Sequence, residues 1–271
     1  MAGKLTIERK GAVLVVVNDN PETRNALDPD FYVGFKEAID AASEDATVAA
    51  IVLTGGGGFF CSGGDLNRLK TNAQRPPEER RQGIERLHAM IQAMRDCPKP
   101  IIAAVEGGAA GAGASLALAC DMIVAAQEAF FSIAYVKVAL SPDGGVTAFL
   151  GQVLPRQLVS ELCLTGTPIT AERLHAFGLV NRLVEPGTAL QEAELLAERL
   201  SLGPARAMGR IKALCHAAPE SSLERQLAME ADFMVQSQGD GEAAEGIAAF
   251  LEKRKPDFAG LRSREGEPER E

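Results

Sequence analysis

The stretch that most limits the fold is Gly107-Gly108-Ala109-Ala110-Gly111-Ala112-Gly113-Ala114-Ser115-Leu116-Ala117-Leu118-Ala119-Cys120. The apolar run Ile101 to Val105 precedes it and reads as a buried strand. An Ala/Leu run with helical spacing follows, so a strand, a glycine turn and a buried helix start succeed one another. Two different demands produce such a sequence. Small residues let a helix pack tightly on a sheet. Glycines also let a backbone approach a ligand, and the first amides of a helix have no partner inside it. Those amides carry partial positive charge and suit an oxygen that gains negative charge. The stretch alone leaves both readings open. It is not a Walker loop, because no Gly-Lys-Ser/Thr follows, and Gly108, Gly111 and Gly113 lack dinucleotide-fingerprint spacing.

A second stretch has the same form. Val48 to Thr54 is another buried-strand run, followed by Gly55-Gly56-Gly57-Gly58-Phe59-Phe60-Cys61-Ser62-Gly63-Gly64-Asp65-Leu66. Two glycine-lined strand ends in one α/β chain predict one crevice. One backbone amide from each can meet a single carbonyl oxygen, which is the geometry of an oxyanion hole.

Composition narrows the function classes. The 271 residues suffice for one large core, or a core with a smaller appended piece. A net charge of -9 argues against a broad nucleic-acid or anionic-membrane surface. Five cysteines, an odd number without a C-x-x-C, fit reduced thiols in a cytoplasmic protein. Cys61 reads as a small core residue rather than a nucleophile. Three scattered histidines make no metal-ligand cluster. No signal peptide is read at the N-terminus, and the uncharged run from Gly107 to Cys120 is too short to span a bilayer, so a soluble protein is expected.

Periodicity gives the order of elements. A hairpin is expected around Lys10-Gly11, then a helix capped by Asp28 with Pro29 in its first turn. Leu66 to Gly83, polar with Pro76-Pro77 at its centre, reads as a solvated loop. Glu78 to Arg95 reads as a helix with Ile84, Leu87, Met90, Ile91 and Met94 on one face and His88 beside them. Strands and helices alternate up to Val184, and beyond Pro186 only helices are expected. The predicted division is an α/β core over 1–200, a helical oligomerisation region over 201–258 and a disordered tail over 259–271.

Several pieces, in order, resemble the crotonase superfamily, the enoyl-CoA hydratase/isomerase family. They are Arg24-Asn25-Ala26-Leu27, Phe60 to Leu66, Lys99 to Gly107 with Ala110-Gly111-Ala112-Gly113, and Glu245-Gly246 to Lys253-Arg254. The resemblance implies a spiral of ββα units with a C-terminal helical trimerisation region. It implies an acyl-CoA thioester substrate, whose coenzyme A is no separate cofactor, and a homotrimer or hexamer. The family's oxyanion amides fall on Gly64 and Ala112. Arg24 and Ala26 match positions near the nucleotide part of CoA. Phe250 and Lys253 match a C-terminal segment that reaches that site, from its own or a neighbouring subunit. Ser62, Gly63, Asp65, Leu66, Gly108, Gly111, Tyr135 and His88 belong to the implied substrate site.

The sequence departs from a typical hydratase of this family. The two glutamates that hold water there fall on Ser115 and Tyr135, neither a carboxylate. Asp143, in Ser-Pro-Asp-Gly-Gly, reads by itself as a turn residue. By resemblance it falls where several family members place their only catalytic carboxylate. One such group is the double-bond isomerases resembling the ring-1,2-epoxyphenylacetyl-CoA isomerase, in which a single carboxylate moves a proton between carbons. The other is the hydrolytic aroyl-CoA dehalogenases, with Asp as nucleophile and a His at the His88 position. An isomerase is the favoured expectation. A hydratase with an altered site, a dehalogenase and a non-catalytic CoA-binding scaffold are its alternatives.

Overall fold

The larger sheet is built from the apolar runs. The computed structural model describes residues 4–265, with strands β1 (Lys4–Lys10), β2 (Val13–Asp19), β3 (Ala50–Gly55), β4 (Ile101–Val105), β5 (Gly108–Ala110), β6 (Met122–Ala126), β7 (Phe130–Ser132), β8 (Ile169–Thr170) and β9 (Arg182–Val184). The hairpin β1–β2 turns at Gly11 and pairs Lys10 with Val13. From β2 onward the sheet is parallel, in the order β1-β2-β3-β4-β6-β9. Its central strands are buried on both faces, which is why they read as unbroken apolar runs.

The helices are α1 (Pro29–Glu44), α2 (Leu66–Asn72), α3 (Pro77–Asp96), α4 (Ala112–Leu118), α5 (Val146–Gly151), α6 (Arg156–Thr165), α7 (Ala171–Ala176), α8 (Ala189–Ser201), α9 (Ala205–Ala217), α10 (Leu223–Gln238), α11 (Gly241–Leu251) and α12 (Phe258–Glu265). Alternate residues of the sheet serve two cores. Ile51, Leu53, Ile101, Ala103 and Val105 face a core shared with α1, α3 and α4. Val13, Val15, Ala50, Val52, Ile102 and Ala104 face Ala189, Ala193, Leu196 and Ala197 of α8. Glu106 accepts the Ala189 N–H at 2.9 Å and fixes the start of α8.

A second layer, β5-β7-β8, lies beside the first. Single bridges extend it, Cys61 to Ala109 and Leu27 to Gly64. Successive turns of chain thus supply a long strand, a short piece of the second layer and a helix: β2, Leu27, α1; β3, Cys61, α3; β4, β5, α4. This is the expected ββα spiral. The C-terminal helices are tied to it by Lys212. Its Nζ meets Asp121 Oδ2 at 2.8 Å and donates to the carbonyls of Met94 and Lys99.

Two expectations need correction. Leu66 to Gly83 is not a loop. Asp65 accepts the N–H groups of Asn67 and Arg68 and starts α2, and Pro77 sits in the first turn of α3, a place proline favours. Residues 259–265, expected in a disordered tail, are helical. Asp257 Oδ1 accepts the Gly260 N–H at 2.8 Å at the start of α12, and the Phe258 ring lies against Gly246. Residues 266–271 lie outside the described residues. Among the described residues no helix is long and apolar enough to cross a membrane.

Candidate active site

The first glycine loop is held by a side chain that the sequence reading passes over. Arg24 and Asn25 both lie in the left-handed region, at φ +54° and +58°. Asn25 is fully buried. Its Nδ2 donates to the carbonyls of Gly56 and Phe59, and its Oδ1 accepts the Asn20 N–H at 2.8 Å. Asn18 donates back to the Asn25 carbonyl at 2.9 Å. The segment so fixed then backs the next one: Ser62 N–H donates to Arg24 O, Ser62 Oγ to Thr23 O and Leu27 N–H to Gly63 O. Buried Ala26 lies within this segment, while the exposed Arg24 guanidinium sits 5.6 Å from the Phe59 ring centroid.

The two glycine loops touch backbone to backbone. A methyl group on Gly63 would lie 2.7 Å from Ala110 O and 3.3 Å from the Ala112 nitrogen. One on Gly113 would lie 2.5 Å from Cys61 O and 2.8 Å from Cys61 Sγ. One on Gly108 would meet the Phe130 ring at 2.6 Å. Small residues are therefore needed for packing, one of the two demands left open by the sequence. The other is present too. Ala112 opens α4, so its N–H has no partner within the helix. Among the described residues neither the Gly64 nor the Ala112 N–H is paired with an acceptor. Leu69 of α2 stands over Gly64, with Cδ1 3.5 Å from where a Cβ would be. Exposed Leu66 opens the same helix behind its Asp65 cap.

Cys61 is buried and its thiol is pushed up to about 12 by burial, so it is no thiolate near neutral pH. It is the core residue the sequence suggests.

Asp143 is half-buried in the turn before α5. The Tyr135 hydroxyl donates to its Oδ1 at 2.7 Å. Ser115, fully buried on α4, donates to its carbonyl at 2.9 Å. His88 Nε2 accepts the N–H of the next residue, Gly144, at 3.3 Å. Gly144, at φ +63°, lies against Ser115 so closely that a methyl would come within 2.8 Å of its Cβ. Ser115 and Gly144 are thus small for a common reason, since the Asp143 turn closes directly on α4. The Tyr135 ring reaches across to the second glycine loop, its Cζ 3.9 Å from a notional Gly111 Cβ. Burial first, and then the charge of Asp143, push the Tyr135 hydroxyl well above its ordinary value. Tyr32 of α1 is raised in the same way, by burial and then by Asp143. Sequence reasoning missed Tyr32, which adjoins the apolar stripe of Phe31 and Phe35 with a polar end.

The structure thus brings together Arg24, Ala26, Ser62, Gly63, Gly64, Gly111 and Ala112 along the two loops, and Ser115, Tyr135, His88 and Asp143 beside them. It does not bring Phe250 or Lys253 there. Phe250 is 83% exposed at the end of α11, whose main neighbours are α10 and α12, and Lys253 is exposed just beyond.

Comparison with known proteins agrees with this architecture. Residues 8–261 match the family model described as enoyl-CoA hydratase/isomerase. The chain belongs to that family, within the crotonase superfamily. It is 34% identical to the 1,2-epoxyphenylacetyl-CoA isomerase of Escherichia coli over 93% of this chain and 96% of that protein. It is 38% identical to a putative enoyl-CoA hydratase of Thermus thermophilus, over 92% and 98% of the two chains. A crystal structure of an enoyl-CoA hydratase from Polaromonas sp. JS666 superposes with a TM-score of 0.91 at 46% identity, covering 93% of this chain and 98% of that one.

Proposed function

We propose that this enzyme shifts a carbon–carbon double bond in an acyl-CoA thioester, with Asp143 as its acid and base. The observation that carries the reading is the state of the two hydratase-type positions. Each holds a hydroxyl, and each hydroxyl directs its proton at Asp143. Neither Ser115 nor Tyr135 is a carboxylate that can activate water. Glu106, the nearest glutamate in sequence to the second loop, is engaged at α8.

The thioester oxygen accepts the free N–H groups of Gly64 and Ala112. Sulfur donates weakly into the carbonyl, so the adjacent C–H is acidic, and the two amides stabilise the enolate that forms. Each such donor contributes about 10²–10³ in rate. Asp143 takes a proton from the carbon beside the thioester of a 3-enoyl-CoA, and the C–H electron pair enters the enolate. The same carboxyl then returns the proton at the far carbon, whose old double-bond pair forms the new C–H bond as the enolate collapses and leaves the double bond beside the thioester. No net proton is consumed and no redox cofactor is needed. Arg24 and Ala26 sit at the nucleotide end of the CoA.

The exposed apolar faces of α10 and α11 are the surfaces of a homotrimer, or of a hexamer of two trimers. In that assembly Phe250 and Lys253 reach a neighbour's CoA. The five free cysteines suit a reducing cytoplasm. The dehalogenase alternative needs His88 free to activate water, whereas its Nε2 is engaged by Gly144.

The test is Asp143→Asn. Acyl-CoA binding is expected to persist while isomerisation of a 3-enoyl-CoA falls roughly 10²–10⁴-fold, as for loss of a general base. Brisk crotonyl-CoA hydration by the unaltered enzyme, unchanged in Asp143→Asn, would overturn both reaction and residue.

A further inference from the structure

The two oxygens of the Asp143 carboxylate are not equivalent. Oδ1 accepts the Tyr135 hydroxyl at 2.7 Å, whereas among the described residues Oδ2 has no hydrogen-bond partner. A free Asp carboxylate turns about a broad, two-fold torsion, and either oxygen can then face a substrate. Here the backbone and the side chain are anchored separately. Ser115 Oγ donates to the Asp143 carbonyl at 2.9 Å, and His88 accepts the Gly144 N–H, so the turn is fixed from α4 and from α3. Among the described residues only Tyr135 holds the carboxylate itself. Each hydroxyl has one proton to give, and the distances say where each goes: Tyr135 Oη is 2.7 Å from Oδ1 but 3.4 Å from the Asp143 carbonyl.

We propose that Tyr135 is a positioning residue for proton transfer: it holds Oδ1 so that Oδ2 alone removes and returns the substrate proton. The proposal rests on the isomerase reading above. Its chemistry balances on one oxygen. The C–H bond of the first carbon breaks as an O–H bond forms at Oδ2, and the electron pair moves into the enolate held by Gly64 and Ala112. That O–H bond then breaks as the far carbon gains its hydrogen. Oδ1 keeps the hydrogen bond from Tyr135 throughout, so the carboxyl need not rotate between the steps and the proton returns to the face it left.

Two features suit Tyr135 to this task. Its ring spans from Gly111 to Asp143, so it sets the carboxylate relative to the amide loop as well as in its own plane. Its hydroxyl stays protonated through the neutral range, since burial and the Asp143 charge both oppose ionisation. It is therefore a fixed donor and not a second base. Among the described residues, two further titratable groups lie near Asp143: Tyr32 from α1, also kept protonated, and His88 from α3, which accepts the neighbouring Gly144 N–H.

The experiment compares Tyr135→Phe and Asp143→Asn with the unaltered enzyme. KM and kcat for isomerisation of a 3-enoyl-CoA are measured from acid to neutral pH, with thermal melts as folding controls. For Tyr135→Phe, KM is expected to change by no more than about twofold and kcat to fall about ten- to hundredfold, the scale of a misplaced reacting group. Loss of a donor to the charged carboxylate also moves the acid limb of kcat to higher pH. Site-specific 3-fluorotyrosine at 135, a stronger donor of nearly the same shape, moves that limb the other way, and it serves as the test should the Phe variant not fold. An unchanged kcat and acid limb in the Phe variant, or an unmoved limb with fluorotyrosine, overturns the positioning role. So does a loss in Tyr135→Phe as complete as in Asp143→Asn, which would make Tyr135 itself the transferring group. Isomerisation that survives Asp143→Asn instead overturns the underlying shuttle, and the two failures are thereby told apart.

Discussion

The spiral core and the C-terminal helices obey different rules. In the core, β3 and β4 are buried on both faces, and buried polar groups such as Asn25 and Ser115 find partners. In the C-terminal helices, α10 buries no residue and α11 only Ala249. Leu223, Leu227, Met234, Ile247, Phe250 and Leu251 are all more than half exposed. The buried side-chain atoms left without a partner among the described residues, His216 Nδ1, Gln226 Oε1 and Arg262 Nη1, all belong to the C-terminal helices. A large exposed apolar surface is characteristic of an association face. The core buries its apolar residues within one chain, whereas the helices leave theirs exposed, and in the proposed assembly a second copy covers them. Substitutions in the two regions should therefore fail differently, in turnover or in assembly.

The largest effect is expected at the second glycine loop. Under the proposed mechanism, Ala112→Pro removes the N–H that the start of α4 gives to the thioester oxygen. Proline is tolerated at the first position of a helix, so the fold is expected to survive. Turnover should fall about 10²–10³-fold, equivalent to about 2.7–4 kcal/mol of transition-state stabilisation. Ala112→Gly keeps the N–H and is expected to retain most activity. Oligomer size, by light scattering, should be unchanged in both. A well-folded Ala112→Pro enzyme with normal kcat would remove that amide from the mechanism.

Next comes the loop latch. Asn25→Ala strands the carbonyls of Gly56 and Phe59 and the Asn20 N–H, and leaves alanine at φ +58°. Denaturant unfolding should show a loss of about 2–4 kcal/mol, the scale of buried unpaired groups. Activity should fall with it, because Gly64 is carried on the same latch. An unchanged midpoint would mean that the glycine loop holds its own shape.

Much of the core was legible because periodicity reports burial. The run Val48 to Thr54 predicts a strand, and alternate residues of β3 do face two cores. The glycine positions were legible for a similar reason, as a missing Cβ marks close approach. What the sequence hid was side-chain geometry across long separations. Nothing near Asn25 announces that its amide closes a loop more than thirty residues on. The stretch after Leu66 misled because charge and two prolines resemble a loop, whereas Asp65 and Pro77 are placed as helix starters. At the candidate site, Asp143 was visible only through family resemblance. Its partners Ser115 and Tyr135 were visible as departures from the hydratase pattern, but their common target was not.

A smaller effect is expected on the helical side. Leu223, Leu227 and Met234 recur at helical spacing on α10 and share a face. Leu227→Asp combined with Met234→Asp should weaken association, each lost apolar contact being worth about 1.5–3 kcal/mol, or roughly ten- to hundredfold in the dissociation constant. The melting of the core should shift little. A sedimentation profile identical to that of the unaltered protein would take α10 out of the proposed interface.

The smallest effect expected is at the last helix, and it tests whether α12 belongs with the core or with the adaptable helices. Glu245 accepts two hydrogen bonds from Arg254 and one from the Asp257 N–H, at 2.6, 2.9 and 2.8 Å. Those bonds, the Arg254 ones foremost, hold its carboxyl down to about 2, against an ordinary 4.5. A carboxylate whose pKa is lower when folded contributes stability only while it is ionised. Its contribution is therefore complete above the ordinary value and is lost as pH falls from there towards 2. The pair is on the surface, so water screens it and the effect is modest. Glu245→Gln imitates the protonated state at neutral pH. Hydrogen exchange should then quicken in α12 and leave β3 and β4 unaffected, and the unaltered protein should show the same pattern at a pH between the two values. Turnover should not change through Asp143, which lies on a different part of the fold. If α12 keeps its protection in both experiments, the Phe258 ring against Gly246 is what holds it, and the helix is anchored by apolar contact as the core is.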